Sequence, residues 1–150
     1  MSAPIRVFVL ADTHDRLPPN LSAFADDVDE IWHLGDVCHP SVLQTIQGFG
    51  PPVTVVHGNC DDTPEWALVE NLERNGVRIR LMHIPPRQPP EGVDVLLHGH
   101  THVPRDEQRG AVRVLNPGCV TRPNRGAPPS VARLTITPDG ALEWHILPLT

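Results

Sequence analysis

Seven residues of this chain have the types and spacing to do metal chemistry: Asp12, His14, Asp36, Asn59, His83, His100 and His102. They stand in the short strings Asp12-Thr13-His14, Gly35-Asp36, Gly58-Asn59 and Gly99-His100-Thr101-His102, with His83 by itself. Carboxylate and imidazole ligands suit divalent ions such as Mn, Fe, Co, Ni or Zn. A set of two Asp, one Asn and four His fits two metal ions that share one carboxylate. Two such ions roughly 3.5–4 Å apart can bind a hydroxide between them and clamp the phosphate oxygens of an in-line displacement. Asn59, as a neutral ligand, limits the negative charge and preserves Lewis acidity. Cys38, Cys60 and Cys119 do not compete for the ions, because they lack the C-x-x-C spacing of a structural zinc site.

The elements that must position these residues are strands. Val7-Phe8-Val9-Leu10, Ile31-Trp32-His33-Leu34, Val53-Thr54-Val55-Val56 and Val95-Leu96-Leu97 each run into one of the four strings, and an apolar stretch from Val77 to Met82 ends at His83. Five strands therefore deliver ligand types at their C-terminal ends, where sites form in open α/β sheets. Taken singly, Gly35-Asp36 and Gly58-Asn59 are ordinary turn dipeptides, and Asp12 is an ordinary residue after a strand. Their joint order after apolar strands separates a site from five unrelated turns. Residues 20–27 and 41–48 read as short helices, the second with Ser41 as N-cap. Residues 67–73 and 77–82 flank Arg74-Asn75-Gly76, a hairpin signal. Residues 111–115 read as a further strand, and 130–137 and 141–147 as a second hairpin about Pro138-Asp139-Gly140.

A length of 150 residues predicts one domain, 1–150, which buries about 68–70% of its unfolded surface. The net charge is −6, and all twelve basic residues are Arg. That acidity argues against a broad nucleic-acid or membrane-binding face. The absence of Tyr argues against an aromatic stacking platform. No apolar run approaches the ~20 residues of a membrane span, and the apolar part of residues 1–11 is too short for a secretory leader. Three cysteines without a secretory segment point to a reducing cytoplasm. A small phosphodiester is the expected partner, with no membrane and no nucleic acid.

Taken together, Asp12-x-His14, Gly35-Asp36, Gly58-Asn59-x-Asp61, His83 and Gly99-His100-x-His102 resemble the motif series of the calcineurin-like metallophosphoesterase superfamily. Gly58-Asn59-Cys60-Asp61 and Asn116-Pro117-Gly118-Cys119 are similar to strings of its small bacterial and archaeal phosphodiesterase branch. The resemblance runs from the first strand to about Arg122. It implies an α/β fold of two facing mixed β-sheets flanked by helices, an αββα sandwich. It also implies a binuclear-metal-dependent phosphodiesterase that attacks with a metal-bridging hydroxide. One ion would take Asp12, His14 and His102, the other Asn59, His83 and His100, with Asp36 bridging. Manganese is the first expectation, with Fe, Ni, Co or Zn as alternatives. Asn59 and Asp61 carry the catalytic assignment of their string, Asp61 by orienting a neighbouring imidazole. His57 and His98 each precede a ligand by two, on the same strand face, and fit a supporting role and a plain structural one equally. His33, His39 and His145 read as structural or exposed, and Arg16, Arg122 and Arg125 as solvated loop charges.

Three departures from the family pattern carry consequences. Cys60 stands where phosphoprotein phosphatases of the superfamily have a histidine thought to assist the leaving group, which leaves the general acid unassigned. His83 is followed by Ile84 in place of the usual Gly, so the loop there is expected to be remodelled. The segment 84–92 is short and holds four prolines, which excludes the helix that relatives carry. Val93, Val95, Leu96 and Leu97 then leave an apolar sheet face, and a second copy of the chain, most simply in a two-fold dimer, is expected to cover it. A catalytically idle protein-interaction scaffold on the same fold is the alternative. Scaffold relatives tend to lose metal histidines, and this chain keeps them all. A metal-dependent nuclease is disfavoured by the acidity.

Overall fold

A computed structural model describes residues 3–149. The chain order is β1 (Ile5–Leu10), a 3-10 helix (Leu21–Ala25), β2 (Glu30–His33), α1 (Pro40–Gln47), β3 (Val53–Val55), β4 (Val69–Arg74), β5 (Val77–Met82), β6 (Val95–Leu97), β7 (Arg105–Arg109), β8 (Val112–Asn116), β9 (Ser130–Ile136) and β10 (Leu142–Pro148). The strands form two mixed five-stranded sheets, ordered β10-β9-β1-β2-β3 and β4-β5-β6-β8-β7. In the first, β1, β2 and β3 are parallel, and β9 and β10 add antiparallel strands. In the second, β5, β6 and β8 are parallel, and β4 and β7 are antiparallel edges.

Alternation along the strands builds the layers. Val7 and Val9 of β1 enter a core with Trp32, Ile79, Leu81, Val95, Leu97 and Leu115, so that core joins both sheets. Phe8 and Leu10, on the opposite face, pack with Leu21 of the 3-10 helix and with Val42, Leu43 and Ile46 of α1. Helix α1 starts two residues earlier than the Ser41 cap implies. His39 is its N-cap, accepting the Ser41 N–H at 3.1 Å, and Pro40 opens the first turn. Proline is favoured there because its missing N–H would have no helical partner.

Strand β7 has no counterpart in the sequence reading. Its residues Arg105-Asp106-Glu107-Gln108-Arg109 are all polar, and it pairs only with β8 at the sheet edge. Segment 84–92 holds no helix, as its prolines require. Nevertheless the outer face of the second sheet is covered within the chain: Val93, Leu96, Val112 and Val114 are all buried, packed together with Met82. That burial removes the ground for placing a second copy on this face.

Candidate metal centre

The parallel ladders continue past the strand ends and hold the ligand loops together. Asp12 N–H donates to Gly35 O and His14 N–H to Asp36 O, each at 3.0 Å. Gly99 N–H donates to His83 O at 3.1 Å in the other sheet. Two glycines are required by close approach. A Cβ on Gly58 would overlap the backbone N and Oδ1 of Asp36, and one on Gly35 would lie 2.7 Å from His83 Nδ1. Five of the proposed ligands hold left-handed backbone: Asp12 (φ 58°), His14 (46°), Asp36 (58°), His100 (73°) and His102 (62°). Non-glycine residues rarely adopt this region, and clusters of them mark functional sites.

The side chains converge. Asp12 Oδ1 lies 3.8 Å from His14 Nε2, 3.8 Å from His83 Nε2 and 3.5 Å from His102 Nε2. Asp36 Oδ2 lies between the two halves, 3.6 Å from His14 Nε2 and 3.3 Å from His83 Nε2. His14 and His102 stack edge-on at 5.4 Å, and His83 and His100 at 5.2 Å. Asn59 Oδ1 meets His100 Nδ1 at 3.1 Å. All seven residues of the sequence reading thus gather at one end of the two sheets. Asp12 Oδ1, His14 Nε2 and His83 Nε2 are buried without a hydrogen-bond partner. Buried polar atoms are otherwise almost always paired, so three orphans converging with a carboxylate fit a site built for cations.

The tautomers agree. His83 Nδ1–H donates to Leu34 O and His102 Nδ1–H to Arg122 O, both at 2.7 Å. This leaves each Nε2 free as a ligand facing the carboxylates. Burial by itself would raise Asp36, but the His83 imidazole and the Cys60 N–H (2.9 Å) outweigh it and hold the carboxylate well below its ordinary range. Burial lowers His83, and the Asp36 carboxylate 3.3 Å from its Nε2, with the charge of Asp12, reverses this to a net rise. Asp12 raises His14 in the same way.

Around the ligands lies a second set of polar residues. Asp61 touches no imidazole, contrary to the sequence expectation. Its Oδ2 accepts the N–H groups of Asp36 (2.9 Å) and Gly58 (2.7 Å), and its Oδ1 that of Cys38 (2.7 Å). It therefore sets the relative position of the Asp36 and Asn59 loops. His33, read as merely structural, is fully buried and neutral, pushed down to about 4 by desolvation. Its Nδ1 accepts the Gly35 N–H at 3.1 Å, so its Nε2–H donates to Thr13 Oγ1 at 3.1 Å. His98 likewise falls to about 4, chiefly by burial. It accepts from Arg105 at 3.1 Å and donates to Gly99 O at 2.8 Å, a supporting role for the His100–His102 loop. Asn116 donates to Gly99 O and Thr101 Oγ1, and Cys119 and Thr121 donate to Asp12 O. His57 is half-buried beside Asn59, whereas His39 and His145 are exposed, as are Arg16, Arg122 and Arg125. The Cys60 thiol is pushed up by burial and by Asp36.

Comparison with known proteins follows the same lines. Residues 5–139 match the model of the calcineurin-like phosphoesterase superfamily domain. A probable metallophosphoesterase of Methanothermobacter thermautotrophicus is 35% identical over 149 residues, covering 85% of this chain and 84% of its own. The phosphodiesterase YfcE of Escherichia coli K12 is 30% identical over 161 residues, covering 87% of each chain. The solved YfcE structure superimposes with a TM-score of 0.77 over 97% of this chain and all of its own, at 24% identity. Vps29 of Entamoeba histolytica, solved in complex with zinc, superimposes with a TM-score of 0.66 over 95% of this chain and 98% of its own, at 21% identity.

Proposed function

The chain belongs to the calcineurin-like phosphoesterase superfamily, and on that premise we propose that it is a phosphodiesterase working with two divalent metal ions. The observation that carries this reading is the convergence of buried, unpartnered Asp12 Oδ1, His14 Nε2 and His83 Nε2 about the Asp36 carboxylate. Asp12, His14 and His102 would hold one ion, Asn59, His83 and His100 the other, and Asp36 both. Manganese is the first candidate, then Fe, Ni, Co or Zn. Bound ions would supply Lewis acidity for the phosphate oxygens and an activated water.

The chain supplies the rest. Asp36 stays ionised beside the His83 imidazole and under its hydrogen bond from the Cys60 N–H. Leu34 O and Arg122 O fix two imidazoles with Nε2 inward. Asn59 and His100 are exposed, so the substrate approaches across them. Cys60 keeps its proton and is a weak acid, so leaving groups that need no protonation are favoured. No helix among the described residues is long and apolar enough to cross a membrane. The three cysteines are free thiols, which supports a cytoplasmic setting. The complete ligand set weighs against an idle scaffold.

The test is metal content together with turnover of bis(p-nitrophenyl) phosphate. Two ions per chain and hydrolysis that stops on chelation are expected. Undiminished hydrolysis after exhaustive chelation refutes the reading.

A further inference from the structure

We propose that the groove beside Asn59 and His83 receives an apolar ester group of the substrate, so that the preferred substrates are phosphodiesters with at least one uncharged, apolar arm. This rests on the phosphodiesterase reading above. The groove encloses about 480 Å³, with walls of Leu68, Val69, Met82 and Ile84, and it ends on Asn59 and His83. That size suits a small-molecule group. Anything lying in it therefore abuts the proposed metal centre.

Three observations select an apolar occupant. Leu68, Val69 and Ile84, 70%, 38% and 50% exposed, are the exposed large hydrophobics among the described residues, and all three line this one groove. Single exposed apolar residues are ordinary, whereas a cluster around a concavity marks a binding surface. Next, no Asp, Glu, Lys or Arg lines it; apart from Asn59 and His83 of the centre, its one polar side chain is the half-buried His57, so it holds no permanent charge for a second phosphate or an ammonium. Finally, a second hollow that borders the centre has the contrary character. A hollow of about 530 Å³ beside His100 is lined by Arg105 and Arg125. A diester at the centre therefore borders two unlike hollows, one with Arg125 and the Glu107-paired Arg105 beside His100, and one apolar beside Asn59 and His83. Ile84 is also the residue that stands in place of the family's glycine after His83, so the departure noted in the sequence builds one wall.

The test uses dimethyl and dibutyl phosphate as inhibitors of bis(p-nitrophenyl) phosphate turnover by the manganese-loaded protein. Both are monoanionic and symmetrical, so one arm faces the groove in either orientation. Apolar pockets discriminate by about tenfold or more per methylene-sized difference, and since a butyl arm carries three methylenes more than a methyl arm, dibutyl phosphate is expected to inhibit at least about tenfold more tightly. Combining Leu68→Asn with Ile84→Asn should bring the two inhibitors within about twofold of each other while metal content stays at two. Equal inhibition by both diesters in the native protein, or a preference that survives the double substitution, overturns the proposal. Calorimetric titration of the same two diesters separates it from the underlying reading. A dibutyl preference without any turnover removes the hydrolase and leaves the groove. Self-association of the native protein in sedimentation, abolished by the double substitution, assigns the groove to a second copy and also overturns the proposal.

Discussion

Replacing Asp61 by asparagine isolates what holds the ligand loops in place. The Asp61 side chain is 7% exposed and accepts three backbone N–H groups, from Asp36, Gly58 and Cys38. Hydrogen bonds to a charged group contribute about 1.5–3 kcal/mol each, and a buried donor left unpaired costs about 1–3 kcal/mol. Asparagine has one acceptor oxygen. It can serve Asp36 and Gly58 together, or Cys38, and its NH2 group then faces the remaining donor. The surviving bonds also lose their charge assistance. Water at the half-buried Cys38 recovers part of this, so a net loss of about 2–4 kcal/mol follows. For a chain of this length 1 kcal/mol moves the midpoint by about 2–4 °C, and Tm should fall by roughly 5–15 °C. Thermal unfolding of the metal-free protein measures the loss without any contribution from ions. Metal titration of the same variant should show weaker uptake, because the Asp36 and Asn59 loops are no longer in register. A variant with native Tm and native metal affinity but lost turnover would refute the reasoning and make Asp61 a group that acts on the substrate itself.

Asp36→Asn should lower metal content below two per chain and abolish turnover, measured by elemental analysis and diester hydrolysis, because Asp36 Oδ2 faces both His14 and His83. Cys60→Ser should change the rate by less than about threefold, since the thiol is a poor acid; aryl diesters should turn over faster than alkyl diesters, and a large loss at intact metal content would show that the thiol participates. His33 adds an acid-sensitive contribution: unfolded it protonates near 6.5, folded only near 4. Between those values the unfolded state binds more protons, so stability is full above about pH 6.5 and is lost towards pH 4, by at most about 3 kcal/mol. His98 acts in the same sense and His14 and His83, which are raised, in the opposite one. The readout is therefore the difference: urea midpoints of the metal-free protein should fall more between those pH values than those of His33→Asn.

The proposed ligand residues were legible because two independent signals coincide on them: uninterrupted apolar runs of strand length, and hard or borderline ligand types just past their ends. Val7-Phe8-Val9-Leu10 leading into Asp12 shows both. Strand β7 was illegible because it carries neither, being an all-polar edge that one neighbour pairs. The supporting residues were hidden for another reason. Asp61 and His33 act on backbone N–H groups, and nothing in a side-chain string records where a backbone N–H points. Asp61 reaches Asp36, 25 residues away, through such a contact. His98 could be suspected from its place two residues before His100, and its bond to Gly99 O fits the supporting role and the plain structural one alike. The apolar face that prompted the expectation of a second copy is buried within the chain, where Val93, Leu96, Val112 and Val114 pack together with Met82.

Five proposed ligand residues in left-handed backbone have a physical consequence for how the centre forms. Each costs about 1–2 kcal/mol relative to ordinary backbone, less for Asp, which tolerates the region better. Such conformations persist only where the surroundings over-determine them. Here the restraints are protein contacts: the ladder bonds from Asp12 and His14 to Gly35 and Asp36, the three bonds to Asp61, and the grip of Asn116 on Gly99. None of these needs an ion. The loops are therefore set before metal enters, and binding adds stability by mass action without creating the fold. Chelation should lower Tm yet leave far-ultraviolet circular dichroism and cooperative unfolding intact. If the metal-free chain instead loses its cooperative transition, the ions hold the loops and the hydrogen-bond network does not.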